Sequence, residues 1–117
     1  MLNIRKEQMA VFSRVQLKKF EDFVLPHLHK SLREQSEALG DAKLRETIQY
    51  GIKRAARYGI TSERDVYKYL YLLVVYGRDF DTDKELARAG EILRSQMKPS
   101  EKIRALHLAA HRHLRRL

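Results

Sequence analysis

Residues Val66–Tyr76 read VYKYLYLLVVY: eleven positions with one charge, Lys68, and otherwise only valine, leucine and tyrosine. A helix apolar on nearly every side belongs in the interior of a fold, enclosed by other elements. The run is about half of the roughly 20 residues that a bilayer-spanning helix needs, so it reads as a core rod and not a membrane anchor. The other periodic segments are one-faced and are expected to pack around it.

The chain has 117 residues, 44% hydrophobic and 33% charged. That balance suits one soluble domain with one core over residues 1–117. There are no cysteines, which excludes disulfides, thiolate metal sites and cysteine nucleophiles. The N-terminal MLNIRKEQM lacks an apolar signal core, so a cytoplasmic location is expected. Only five glycines and two prolines interrupt the chain, and the segments between them have helical length.

Met9, Phe12, Val15, Phe20, Phe23, Val24, Leu28 and Leu32 form an apolar stripe, predicting a first helical region over Ile4–Gln35. Pro26 should kink or break it near Val24–Leu25. Gly40 is expected to stop it, with Asp41 capping the next helix. That second helix should run from about Ala42 to Tyr58, with Leu44, Ile48, Ile52 and Ala55 inward and Gly51 allowing a close neighbour. Gly59 suits a left-handed stop and Ile60 an inward tuck; Thr61 or Ser62 begins the third helix, and Ser62 with Asp65 has the spacing of a capping box, with aspartate in place of the preferred glutamate. Thr82 and Glu85 share the same spacing before a fourth helix starting near Asp83, whose inward positions are Leu86, Ala89, Ile92 and Leu93. Ser100 is the expected cap of a fifth, striped by Ile103, Leu106, Ala110, Leu114 and Leu117, with Leu108 adjacent. The expected fold is an all-α, single compact bundle of about five helices with the apolar third helix at its centre.

The net charge of +9 is uneven. Residues 41–60 hold 5 basic and 2 acidic side chains, and residues 101–117 hold 5 and 1. Tyr50, Lys53, Arg54 and Arg57 make a basic face with one aromatic on the second helix, and Arg112, Arg115 and Arg116 lie in a basic tail over 111–117. Both suit an acidic partner: a phosphate backbone, or an acidic protein surface that arginine can grip with two hydrogen bonds. A merely solvated face explains them equally well. Tyr67, Tyr69, Tyr71 and Tyr76 share the third helix. One helix cannot bury four rings without partners for four hydroxyls, so some should reach the rim or an interface.

Other motifs fail on inspection. Ala55-x-x-x-Gly59-Ile60-Thr61 has the spacing of a DNA-binding helix-turn-helix, but the helix after it has no polar face to offer base edges. Asp79, Asp81 and Asp83 alternate like a calcium loop, yet Lys84 and Gly90 stand where glycine and glutamate are needed, so these acids read as turn and cap residues. His107 and His111 have zinc-ligand spacing without the glutamate or a third ligand. No phosphate loop, serine elbow or paired carboxylates appear, so the reading names no catalytic residue, no cofactor and no metal site.

Gly51-Ile52-Lys53-Arg54-Ala55-Ala56-Arg57-Tyr58-Gly59-Ile60, then Glu63-Arg64-Asp65-Val66 and Tyr69-Leu70, with Gln8-Met9 before and Gly77-x-x-Phe80-Asp81 after, resemble a known group. These are the short helical accessory proteins that lie beside effector, spike and PAAR-type genes of bacterial type VI secretion systems. The resemblance covers the chain up to about Leu93; Pro26 and the basic tail depart from it. It implies a non-enzymatic adaptor or chaperone for a secreted toxin, or alternatively an immunity protein, and transfers no catalytic residues. A basic helical nucleic-acid binder is the other alternative. Residues expected to meet a protein partner are Tyr50, Lys53, Arg54, Arg57, Tyr67 and Tyr71, with Arg112, Arg115 and Arg116 as anion or nucleic-acid contacts.

Overall fold

The computed structural model describes the backbone of residues 14–116 and the side chains of residues 15–111. The expected helix start at Ile4, with Met9 and Phe12, and the tail side chains of Arg112, Leu114, Arg115, Arg116 and Leu117 lie outside the described residues. Among the described residues five α-helices follow in order: α1 (Arg14–Ser31), α2 (Arg33–Arg57), α3 (Glu63–Tyr76), α4 (Ala87–Leu93) and α5 (Pro99–Arg116), with a 3-10 turn at Lys84–Leu86. Among the described residues there is no strand.

α3 is the hub. Helices α1 and α2 pack on each other and on α3, while α4 packs on α5 and α5 on α3. Val66, Tyr69, Leu70, Leu72 and Leu73 are buried, and no residue of Val66–Tyr76 is exposed. At about 1.5–3 kcal/mol per fully buried large apolar side chain, this rod is the largest single contribution to the core. The molecule measures 41 × 35 × 19 Å, and its short dimension is about two helix diameters, so the helices around α3 keep one face in water.

Pro26 neither breaks nor ends α1. The proline is exposed, and the helix runs through it to Ser31. The lost hydrogen bond falls on the water side, where solvent can replace it. The break comes instead at Leu32, whose backbone leaves the helical region (φ −131°, ψ 62°). Buried Ser36 secures this corner by donating its hydroxyl to the Leu28 carbonyl at 3.0 Å. Chain 33–39, expected as the tail of the first helix and its loop, is therefore the start of α2. α2 bends at Gly40 (φ 82°, ψ 159°), a conformation that glycine adopts without steric cost. Asp41 does not cap; its Oδ1 accepts from His29 Nε2 at 2.7 Å across the bend. Val15 and Phe23, expected inward, are exposed. The inner row is Phe20–Val24–Leu28 at i, i+4, and Phe23 sits one position off it.

The α2–α3 corner matches its sequence. Gly59 (φ 80°) donates to the Ala56 carbonyl and Ile60 donates to that of Ala55, the paired bonds of a Schellman stop, with Ile60 buried. The Ser62 hydroxyl accepts from the Asp65 backbone N–H. A Cβ at Gly51 would overlap Leu70 Cδ2, so the missing side chain lets α2 and α3 touch.

Two other caps differ from expectation. Asp83 accepts from Glu85 N–H at 2.9 Å and opens a 3-10 turn, while the Thr82 hydroxyl donates back to the Asp79 carbonyl. A carboxylate two residues before the free N–H suits this tighter turn. α5 begins at Pro99, one residue ahead of Ser100, with Lys102 N–H donating to the Lys98 carbonyl. Proline is pre-set for the first helical position, where its missing N–H costs nothing.

Candidate docking groove and the cluster behind it

α4 is only seven residues long, about two turns, and it packs on α5 without reaching α3. A trough of about 400 Å³ is left open. Leu72 and Tyr76 of α3, Phe80 of the turn, Leu86, Ala89 and Ile92 on one wall, and Ala105, Leu106, Ala109 and Ala110 of α5 line it. The alanines are too short to fill the space, which is why it exists. Glu85, Arg88 and Leu108 stand at its rim, and Leu108 is 54% exposed. Tyr76 fixes one end by donating its hydroxyl to the Ala110 carbonyl at 3.1 Å, and burial raises its phenol pKa above the ordinary value.

Behind the groove lies a buried acid. The turn after α3 drives Phe80 and Asp81 inward together. Asp81 Oδ2 accepts from Arg54 Nε at 2.7 Å and from the Tyr58 hydroxyl at 2.5 Å. Burial works to raise the Asp81 pKa, but the two hydrogen bonds and the Arg54 charge outweigh it and hold the carboxyl below the usual carboxylate range. Burial, with the Asp81 carboxylate beside it, pushes Tyr58 up to about 12. Asp81 Oδ1 and the Tyr69 hydroxyl are both buried without a partner among the described residues. Tyr69, whose phenol pKa is raised mainly by burial, packs its ring 5.3 Å from Phe80. The arrangement ties α2 to the turn that forms the groove's end. Asp81 lies in the turn where it was expected, and it is at the same time a core anion, a role that its sequence position did not announce.

The expected contact residues do not form one surface. Lys53 and Arg57 are exposed on α2, but Arg54 is only 18% exposed and committed to Asp81, so the basic face is narrower than its sequence suggests. The Tyr50 hydroxyl donates to Asp79 at 2.9 Å, and the Arg78 guanidinium lies 4.0 Å from its ring centre. Tyr67 is half-buried beside α1, where His27 lies 6.2 Å from it and 4.5 Å from exposed Phe23. Tyr71 is half-buried against His107 of α5. His107 is itself half-buried and its pKa lies below the ordinary value, because burial outweighs the Lys68 backbone. His111 is exposed, and among the described residues no three metal-ligating side chains cluster.

Sequence reasoning missed the groove, Asp81 and Lys102. The groove had a signal in Ala89, Ala105 and Ala109, small residues at inward helical positions. Asp81 had one in its place beside buried Phe80. Lys102, buried on α5, donates to the Tyr58 carbonyl at the end of α2, a favourable place for a cation. No family model, curated protein or solved structure matches this chain.

Proposed function

We propose that this protein is a non-enzymatic adaptor or chaperone that holds a second protein, in the setting its resemblance implies: the loading of a secreted toxin or effector by a bacterial type VI secretion system. The observation that supports the reading is the open apolar trough with Leu108 standing in water at its edge. Apolar surface gains about 25 cal/mol per Å² when covered, so such a trough favours a partner that fills it. The exposed Phe23 with His27 and Tyr67 gives a second aromatic patch, the residue type enriched in protein contacts.

Co-expression with the toxin that the resemblance places beside it tests the reading. The toxin's soluble yield should rise and the two chains should co-elute; a protein that captures nothing and leaves the yield unchanged refutes it. An immunity protein would instead rescue cells from the toxin without aiding its export. Exposed Lys53 and Arg57 favour nucleic acid as the second reading. Binding to duplex and single-stranded DNA that falls steeply between about 50 and 200 mM salt would support it.

A further inference from the structure

We propose that the corner where the end of α2 meets Arg94 and the α4–α5 loop grips the phosphate backbone of a nucleic-acid duplex without reading its sequence. The proposal rests on the nucleic-acid reading and gives that reading a site and a kind of strand.

Three contacts assemble the corner. Pro99 starts α5 against the stop of α2, 3.7 Å from where a Cβ on Gly59 would stand. Lys102 Nζ donates to the Tyr58 carbonyl at 3.1 Å, so that oxygen is satisfied from inside the fold. Gly90 has no side chain, and the Arg94 guanidinium folds back into the space. Arg94 Nη2 and the Asp81 carbonyl oxygen lie 2.6 and 2.8 Å from the place a Gly90 Cβ would take. The Arg94 charge reaches the Tyr58 phenol, whose pKa it lowers against the larger effect of burial. Lys53 and Arg57 are one turn apart, about 6 Å along α2. Both are exposed, as are Arg94 and Lys98, the residue before Pro99.

The positive sign survives a full count of the described side chains. Residues 53–65 carry four cations and two carboxylates, residues 94–102 carry three and one, and Asp81 adds one carboxylate, which leaves +3. Asp81 is taken by Arg54, Asp65 lies 3.8 Å from Arg64, and Glu91 on the neighbouring turn of α4 is answered by Arg88. Lys53, Arg57, Arg94 and Lys98 make no ion pair among the described residues. Free cations are all that a phosphate backbone requires. A protein partner would seek an apolar centre, yet on these two segments Met97, at 36%, is the one large apolar side chain exposed to water. A single strand would seek rings on which to stack its bases. Tyr58 is half-buried with its hydroxyl on Asp81, and the Arg78 guanidinium lies over the Tyr50 ring at 4.0 Å. A duplex needs neither and carries one charge per about 1.7 Å of its axis, so it is the occupant that fits.

The probe is a fluorescein-labelled DNA duplex of two helical turns, roughly 20 base pairs. The full chain is titrated into it by anisotropy at salt from about 50 to 200 mM. With the four free cations engaged, affinity should fall on the order of a hundredfold over that range, a slope of about −3.6 in log affinity against log salt. Arg57→Gln, Arg94→Gln and Lys98→Gln should each flatten the slope by about 0.9. Lys30→Gln should leave it unchanged, since α1 touches neither α4 nor α5. These side chains are exposed, so the variants should fold, and circular dichroism verifies this. A single strand of equal length should bind more weakly, and duplexes of different sequence should bind alike. Tighter binding of the single strand, a preference among duplex sequences, or displacement by polyglutamate as effective as by unlabelled duplex would each overturn the proposal. So would a wild-type slope in all three corner variants. If that slope is instead lost when Arg112→Gln, Arg115→Gln and Arg116→Gln are combined, the nucleic-acid reading stands and this site falls. If no nucleic acid binds even at about 50 mM salt, both fall.

Discussion

Replacing Asp81 by asparagine keeps the shape of the buried acid and removes its charge. Arg54, 18% exposed, then loses its counter-ion but keeps a neutral acceptor. A hydrogen bond to a charged group contributes about 1.5–3 kcal/mol, and removing one partner of a buried pair costs about 3–5 kcal/mol. Partial exposure of Arg54 and the retained acceptor for Tyr58 place Asp81→Asn near the low end, at about 3 kcal/mol. For a domain with about 5–15 kcal/mol in total this is a large loss. With a urea slope of about 2 kcal/mol/M the midpoint should fall by about 1.5 M. Arg54→Met should cost as much or more, because it leaves a carboxylate buried and unpaired, and the double variant should cost clearly less than the two summed. The pH arm follows from the depressed Asp81 pKa. Its stabilisation is fully present above the unfolded value of about 4 and is lost as pH falls through the lower folded value, so acid should destabilise wild type more than Asp81→Asn. If each single variant costs less than about 1 kcal/mol and the two add, the buried pair is not what ties α2 to the turn.

Gly51→Val should cost about 3 kcal/mol by driving α2 and α3 apart at Leu70, measured as a drop in Tm; an unchanged Tm would refute the close contact. His107, held neutral by burial, stabilises fully above about pH 6.5 and loses that contribution as pH falls through its lowered folded value. His107→Gln should therefore flatten the decline in stability between pH 7 and 5, followed by chemical denaturation at each pH. Lys102→Met should lower stability by about 1 kcal/mol by leaving the Tyr58 carbonyl without its buried donor, read from urea midpoints. Because α3 has no exposed residue in Val66–Tyr76, DNA binding in a competition assay should show no preference between duplexes of different sequence; a clear preference would refute the hub assignment.

The parts legible in the chain were those set by local chemistry. Val66–Tyr76 announced itself as interior because no polar face could be drawn on it, and the structure encloses it on α1, α2 and α5. Gly59-Ile60 and Ser62 determined a helix stop and start within a few residues, so their bonds form as the sequence suggests. Periodicity in Leu44, Ile48, Ile52 and Ala55 named the face of α2 that lies inward. Pro26 was ambiguous, since whether a missing N–H breaks a helix depends on the side it faces, and it faces water.

What sequence alone determined, then, is an all-helical chain folded around one apolar rod, because hydrophobic period and capping are properties of neighbours along the chain. Tertiary structure decided which charges are available. Arg54 and Asp81 are 27 residues apart, yet they neutralise each other in the interior, while Lys53 one step away stays in water. It also opened the groove, because a void depends on how far α4 reaches over α5, and no single segment encodes the distance between two others.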